Sequence, residues 1–319
     1  MSPRPVYFDC DTGIDDALAL VYLMASPEIT LAGIGTCSGN IGAAQAAVNT
    51  LDLLAMGGMA DVPVAVGSPQ PMVGTFSGGV PHIHGHNGVG DIELPHTDVQ
   101  PQNETAAEML IRLANEHPGE LDVIAVGPLT NLGLALQQDP SLAEKVNVVY
   151  VMGGAALVPG NLSPVGEANI WNDPTAAKAV MAAPWQVVLV PLDVTLENVF
   201  EEADRQALAD SGSALNKALA DMLDLYFTFY VGEYGRRLCA LHDPLAAAIG
   251  VGQITATRAP SVPVDVDDTD GPGRGQTICD LRGQRQGPRD VDGAHVRVVL
   301  ATDQPLGPLL RERLLAFGA

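Results

Sequence analysis

The chain has 319 residues and carries 16 Lys+Arg against 38 Asp+Glu, a formal net charge of −22. That length can bury a large core, and the acidic excess repels phosphate backbones and anionic bilayers, so neither nucleic acid nor a membrane surface is expected as a partner. Cys10, Cys37, Cys239 and Cys279 are scattered without a CxxC pair, there is no apolar leader and no bilayer-length run, and the expectation is a cytoplasmic protein with reduced thiols and a single α/β domain over 1–319.

In chain order, an apolar run ending Val6-Tyr7-Phe8 reads as the first strand and delivers Asp9, Asp11, Asp15 and Asp16 before turning into a helix from about Asp16 to Met24. A second strand follows at Thr30–Thr36, then Ser38-Gly39-Asn40 and an Ala-rich helix to about Met56. Val62–Val66 is the third strand. The Gly- and His-rich stretch from Ser68 to Asn103 is too long for an ordinary connector and is expected to be a functional loop or lid. A helix from Glu104 to about Glu116 leads to strands at Leu121–Val126, Val146–Met152 and Val187–Leu192, with a helix at Pro174–Ala182 before the last. Ser213–Gly235 reads as a long helix, Leu241-His242-Asp243-Pro244 opens another, Val262–Leu300 suggests β hairpins around Asp267–Gly271 and Gly287-Pro288, and a helix closes the chain from about Pro305 to Phe317. Strands rich in Val, Ile and Leu alternating with helices predict a three-layer α/β fold, a mostly parallel sheet covered on both faces. In such sheets ligands bind beyond the carboxyl ends of the strands, and the Asp, Asn, Glu and His residues of this chain gather just after them.

Four carboxylates at one strand-to-helix turn repel one another by several kcal/mol if partly buried, unless a cation or protons neutralise them. Asp15 and Asp16 alone could be an acidic helix N-terminus, but Asp9 and Asp11 lie on the strand end. An oxygen-only ligand set points to Ca2+ or Mg2+ and away from zinc. The alternating His82, His84 and His86 lack an evident further zinc ligand.

Asp9-Cys10-Asp11-Thr12-Gly13-Ile14-Asp15-Asp16-Ala17 resembles the N-terminal signature of the nucleoside hydrolases. The resemblance continues through Ser38-Gly39-Asn40, His84-Gly85 with Asn87-Gly88, Gly127-Pro128-Leu129-Thr130-Asn131-Leu132, Met152-Gly153-Gly154, Glu167-Ala168-Asn169 and His242-Asp243-Pro244, with Arg274–Thr277 as a weaker late match. It implies calcium-dependent cleavage of the N-glycosidic bond of ribonucleosides by a homo-tetramer or homo-dimer. Ca2+ would be held by Asp11, Asp16, the Thr130 carbonyl and Asp243. Asp11 would be the general base toward a calcium-bound water. Asp15, Asn40, His84, Met152, Asn161, Glu167, Asn169 and Asp243 would bind the nucleoside. His242 is the implied acid for the leaving base, and Tyr226 and Tyr230, spaced i, i+4 on one helix face, are either core tyrosines or partners that stack on the base and relay a proton. A His at 242 with nearby tyrosines is similar to the inosine-uridine and pyrimidine branches. Thr12 stands where a proline is frequent and Ala168 where a bulkier apolar residue is, and the second change would loosen the pocket around the base.

Two rivals compete with this reading. Asp9-x-Asp11 after a strand also resembles the nucleophile motif of haloacid-dehalogenase-like phosphatases, but Gly13 departs from that motif and Lys145 and Lys178 sit in helical contexts. The other is a calcium-dependent ribonucleoside-binding protein without catalysis, which would not require Asp11 or His242.

Overall fold

The structure is a computed structural model that describes residues 3–318. Its centre is an eight-stranded sheet built from β1 (Arg4–Cys10), β2 (Ile29–Thr36), β3 (Val64–Val66), β4 (Leu121–Ala125), β5 (Val146–Met152), β6 (Gln186–Val190), β7 (Ser261–Val262) and β8 (Val296–Val298). The spatial order is β7-β8-β6-β5-β4-β1-β2-β3, and every neighbouring pair is parallel except β7 against β8. The predicted three-layer architecture is therefore present.

Alternation along β1 divides the core. Val6, Phe8 and Cys10 face one layer, packed with the helices Ile14–Met24, Ala214–Tyr234, His242–Val251 and Leu306–Phe317. Tyr7 faces the other, with the helices Ala106–Glu116, Thr130–Gln138 and Pro174–Ala182. The helix Ile14–Met24 is buried along its whole length, so its first-turn acids Asp15 and Asp16 are buried too.

β1 pairs with β2 on one side and β4 on the other, so the chain changes direction across the sheet between β1 and β4. This is the topological switch point, and a crevice opens there at the carboxyl ends of the strands.

Most element boundaries match the sequence reading within two residues; β5 and the helix Pro174–Ala182 coincide with it. Two expectations are corrected. The sixth strand ends at Val190 and does not reach Leu192: Pro191 has no N–H for the ladder, and Leu192–Thr195 coils into one helical turn. A hairpin does form across Asp267–Gly271, pairing Val264–Val266 with Thr277–Cys279, but none forms around Gly287-Pro288. Val296–Val298 instead joins the main sheet parallel to β6, burying Val296 and Val298, which a two-stranded hairpin could not do.

Candidate active site

Asp11 leaves the end of β1 pointing into the crevice and is 1% exposed. Its Oδ2 accepts the Asn40 N–H at 2.5 Å, and its own N–H donates to Asp16 Oδ1 at 3.0 Å. Asp16 Oδ2 accepts from the Gly13 N–H at 2.8 Å and from Asn40 Nδ2 at 3.0 Å. The carboxylate of Asp11 fills space that other residues vacate: a Cβ on Gly39 would collide with Oδ2, and one on Gly127 would lie 2.8 Å from Oδ1. Oxygens of Asp15, Asp16 and Asp243 lie within 4.8 Å of one another, the one group among the described residues with metal-ligand spacing. That trio contains Asp15 and omits Asp11, whereas the resemblance implies Asp11 and the Thr130 carbonyl as ligands. Asp11 Oδ1 and Asp15 Oδ1 are buried and unpartnered among the described residues.

So many buried acids resist ionising. Burial first, then Asp16, pushes Asp11 well above the usual carboxylate range. Burial raises Asp15 to about 6 and Asp9 to about 7, and raises Asp16 and Glu167 as well. Burial and the charges of Asp15, Asp16 and Asp11 push Asp243 well up. None of these six carboxylates is bonded to a lysine or arginine among the described residues. An all-oxygen, anionic donor set in which Asp11 and Asp15, like Asp9, each keep a bare buried oxygen fits a hard divalent cation, which would remove the repulsion.

The opposite wall is a set of braces. Glu167, 2% exposed, is no surface acid: Oε1 accepts from Asn169 N–H at 3.0 Å, and Oε2 from the N–H groups of Gly154 at 2.9 Å and Ile170 at 3.2 Å. Asn169 Nδ2 ties the carbonyls of Val126 at 2.7 Å and Met152 at 3.2 Å, joining the ends of β4 and β5, and Met152 is itself buried. Asn161 is not brought into the cluster; it is exposed, with Oδ1 accepting the Ala168 N–H at 2.9 Å. Thr130 is buried, its hydroxyl donating to Asp173 Oδ2 at 2.7 Å.

A band of aromatic and hydroxyl groups forms the remaining side. Tyr226 donates its O–H to Asp15 Oδ2 at 2.9 Å, its ring meets Tyr230 edge-on at 5.0 Å between centroids, and Tyr230 Oη lies 2.8 Å from His242 Nε2. His242 Nδ1 lies 2.8 Å from Thr195 Oγ1. Burial lowers His242 to about 4, so at neutral pH it is a neutral imidazole and holds no ready acidic proton. His84 is also lowered to about 4 by burial; its Nδ1 accepts the Ile14 N–H at 3.0 Å, so its approach to Asp15 at 4.0 Å is not an ion pair. His84 turns inward at the end of the short helix Pro81–His84, whereas His82 and His86 are exposed, and no histidine set with metal-ligand spacing exists among the described residues.

Sequence reasoning missed three contributors. Asn131 was quoted within a motif, yet its Nδ2 bridges Asp9 Oδ2 and the Thr36 carbonyl, both at 3.0 Å. Asp173 holds Thr130 and caps the helix Pro174–Ala182 through the Ala176 N–H at 3.1 Å; Asp before Pro was the available signal. Thr195 had none.

The chain matches the family model described as inosine-uridine preferring nucleoside hydrolase over residues 6–306. The probable uridine nucleosidase 2 of Arabidopsis thaliana is 33% identical over 318 residues, 98% of either chain. Among solved structures, a plant nucleoside hydrolase is 33% identical with a TM-score of 0.92, covering 98% of this chain and 99% of that one. A purine-preferring ribonucleoside hydrolase from Gardnerella vaginalis is 30% identical with a TM-score of 0.89, covering 99% of both chains. No described helix is long and apolar enough to cross a membrane. With the family motifs converging at the sheet's switch point and the match running through nearly the whole chain, the protein belongs to the inosine-uridine preferring nucleoside hydrolases, enzymes that hydrolyse N-glycosidic bonds.

Proposed function

We propose that the chain, acting as one domain, hydrolyses ribonucleosides to ribose and free base with Ca2+ held by Asp11, Asp16, Asp243 and the Thr130 carbonyl. Pyrimidine ribonucleosides, or inosine together with uridine, are the preferred substrates. The observation that carries this reading is the buried convergence of Asp11, Asp15, Asp16 and Asp243 with bare oxygens on Asp11 and Asp15. Bound there, Ca2+ supplies charge neutralisation, loose coordination suited to a vicinal diol, and a lowered pKa for water.

The residues divide the work. Asp11 is the base: Asn40 engages Oδ2 and leaves Oδ1 free to take the proton of the water attacking the anomeric carbon. As that bond forms, the C–N bond breaks and its electron pair leaves with the base. Asp15, fixed by Tyr226, keeps Oδ1 for a ribose hydroxyl, and Asn40, Glu167 and Asn169 line the sugar. These groups also suit the positive charge that develops on the sugar in glycosidic cleavage. Sites built to pair hydroxyls reject analogues that lack one, so 2′-deoxyribonucleosides should react poorly.

The departing base meets Tyr226, Tyr230, His84 and His242. Because His242 is neutral, it acts through the Tyr230 hydroxyl. Two phenols beside a histidine, together with the uridine nucleosidase relative, favour a pyrimidine; the purine-preferring relative keeps inosine in the test.

The test is release of free base from uridine, cytidine, inosine and 2′-deoxyuridine, with and without a calcium chelator and with Asp11→Asn alongside. We expect ribonucleoside cleavage that chelation abolishes and that Asp11→Asn lowers by roughly 10²- to 10⁴-fold. Calcium-dependent binding without cleavage would favour a binding protein, and indifference to calcium would remove the assigned metal.

A further inference from the structure

We infer that Thr195 is a positioning residue for the leaving-group side: its hydroxyl holds His242 as the Nε2–H tautomer, and this turns the Tyr230 hydroxyl proton toward the pocket. The inference rests on the reading of His242 and Tyr230 given above.

The argument is hydrogen-bond accounting in a dry place. Thr195 is 0% exposed, on the short turn Leu192–Thr195 created where Pro191 ends β6. Its hydroxyl meets one side-chain partner among the described residues, His242 Nδ1 at 2.8 Å. Only one hydrogen fits between Thr195 Oγ1 and His242 Nδ1, so either Nδ1 donates to Thr195 or Thr195 donates to Nδ1. If Nδ1 bore the hydrogen, Thr195 would accept it and its own O–H would be left buried without an acceptor, which native interiors avoid. If Thr195 donates, Nδ1 accepts, Nε2 carries the hydrogen, and Nε2–H donates to Tyr230 Oη at 2.8 Å.

The next link has the same polarity. Tyr230 Oη, already accepting from His242, has its own hydrogen to give; the neighbouring phenol of Tyr226 spends its hydrogen on Asp15 Oδ2 at 2.9 Å, which leaves its oxygen to accept that hydrogen when no base is bound. The donors thus run from Thr195 through His242 to Tyr230, whose hydroxyl hydrogen points away from His242 and can pass from Tyr226 to the negative charge that develops on the base. The opposite tautomer would point the Tyr230 hydrogen back at His242 and offer the base only lone pairs.

The experiment compares T195V, T195S and H242A in the full-length calcium-loaded enzyme, using uridine and p-nitrophenyl β-D-ribofuranoside. Nitrophenolate leaves without help from a donor, so only uridine cleavage reads the chain. We expect T195V to lower kcat on uridine by roughly 10- to 100-fold. Its KM on uridine and its turnover of the nitrophenyl riboside should each change by less than about threefold, and T195S should stay within about threefold of the parent on both substrates. Equal loss on both substrates, or no loss on uridine, overturns the inference. H242A separates the two levels: if it leaves uridine cleavage intact, the reading of His242 fails, whereas a uridine-selective defect in H242A that T195V lacks removes Thr195 alone. Should T195V not fold, 15N-histidine spectra of the parent and T195S decide, an Nε2–H signature for His242 supporting the inference and an Nδ1–H signature overturning it.

Discussion

A Cβ at position 39 would overlap Asp11 Oδ2, and one at 127 would press on Oδ1 from the other side. Glycine at these positions therefore leaves room for the Asp11 carboxylate that the Asn40 N–H holds. Gly39→Ala should leave the fold intact by circular dichroism yet lower kcat on uridine by about 10²-fold, the cost of misplacing a reacting group by about 1 Å. A variant with parental kcat would show that Asp11 has room to move. This part of the site was legible in the sequence because Asp9 to Ala17 spans the end of β1 and Ser38-Gly39-Asn40 and Gly127-Pro128 each follow a strand closely. Thr195 was not legible: it meets His242 across 47 positions, and a lone threonine before a loop carries no local signature. His242 itself was visible, but its depressed basicity was not, since burial is a property of the folded chain.

The elements position the site through their ends. Asp173 caps the helix Pro174–Ala182, receives the Thr130 hydroxyl and accepts the Met72 N–H at 2.8 Å, so one buried carboxylate couples a helix start, a loop and an implied metal ligand. Asp173→Ala should lower stability by about 1–3 kcal/mol and also weaken calcium affinity. Thr105→Ala, which breaks the exposed capping box of Thr105 with Glu108, should cost about 1 kcal/mol and leave calcium affinity unchanged. Thermal denaturation and calcium titration of both variants check this; equal calcium affinity in the two would disconnect Asp173 from the site. Periodicity and caps made these helices readable, whereas the fate of Val296–Val298 was not. A short apolar run looks the same in a hairpin and on a parallel sheet, and only the waiting edge of β6, far back in the sequence, decides.

For the whole molecule, the acidic cluster links metal, pH and stability. Asp15 and Asp9 rise in the folded, metal-free chain to about 6 and about 7, above the ordinary carboxylate value near ~3.9. A carboxyl whose pKa is raised by folding contributes stability that is complete below its unfolded pKa and disappears as pH rises through the folded one. The metal-free protein should therefore melt at progressively lower temperature as pH increases from about 5 to 8. Saturating Ca2+ should raise the melting temperature most at the upper end, by an amount equivalent to about 4 kcal/mol at 1,000 times its dissociation constant. A chelated protein whose melting temperature rises across that window would contradict the picture. A strand end supplies Asp11 and two helix starts supply Asp15, Asp16 and Asp243, while the phenols Tyr226 and Tyr230 both hang from the single helix Ala214–Tyr234, which Ser213 caps and left-handed Gly235 stops. Under the proposed roles, sugar-facing carboxylates and base-facing phenols thus sit on different elements. With these roles, a change at Tyr230 on that helical face would alter the surroundings of the nucleobase while Asp11, Asp16 and Asp243 stay in place.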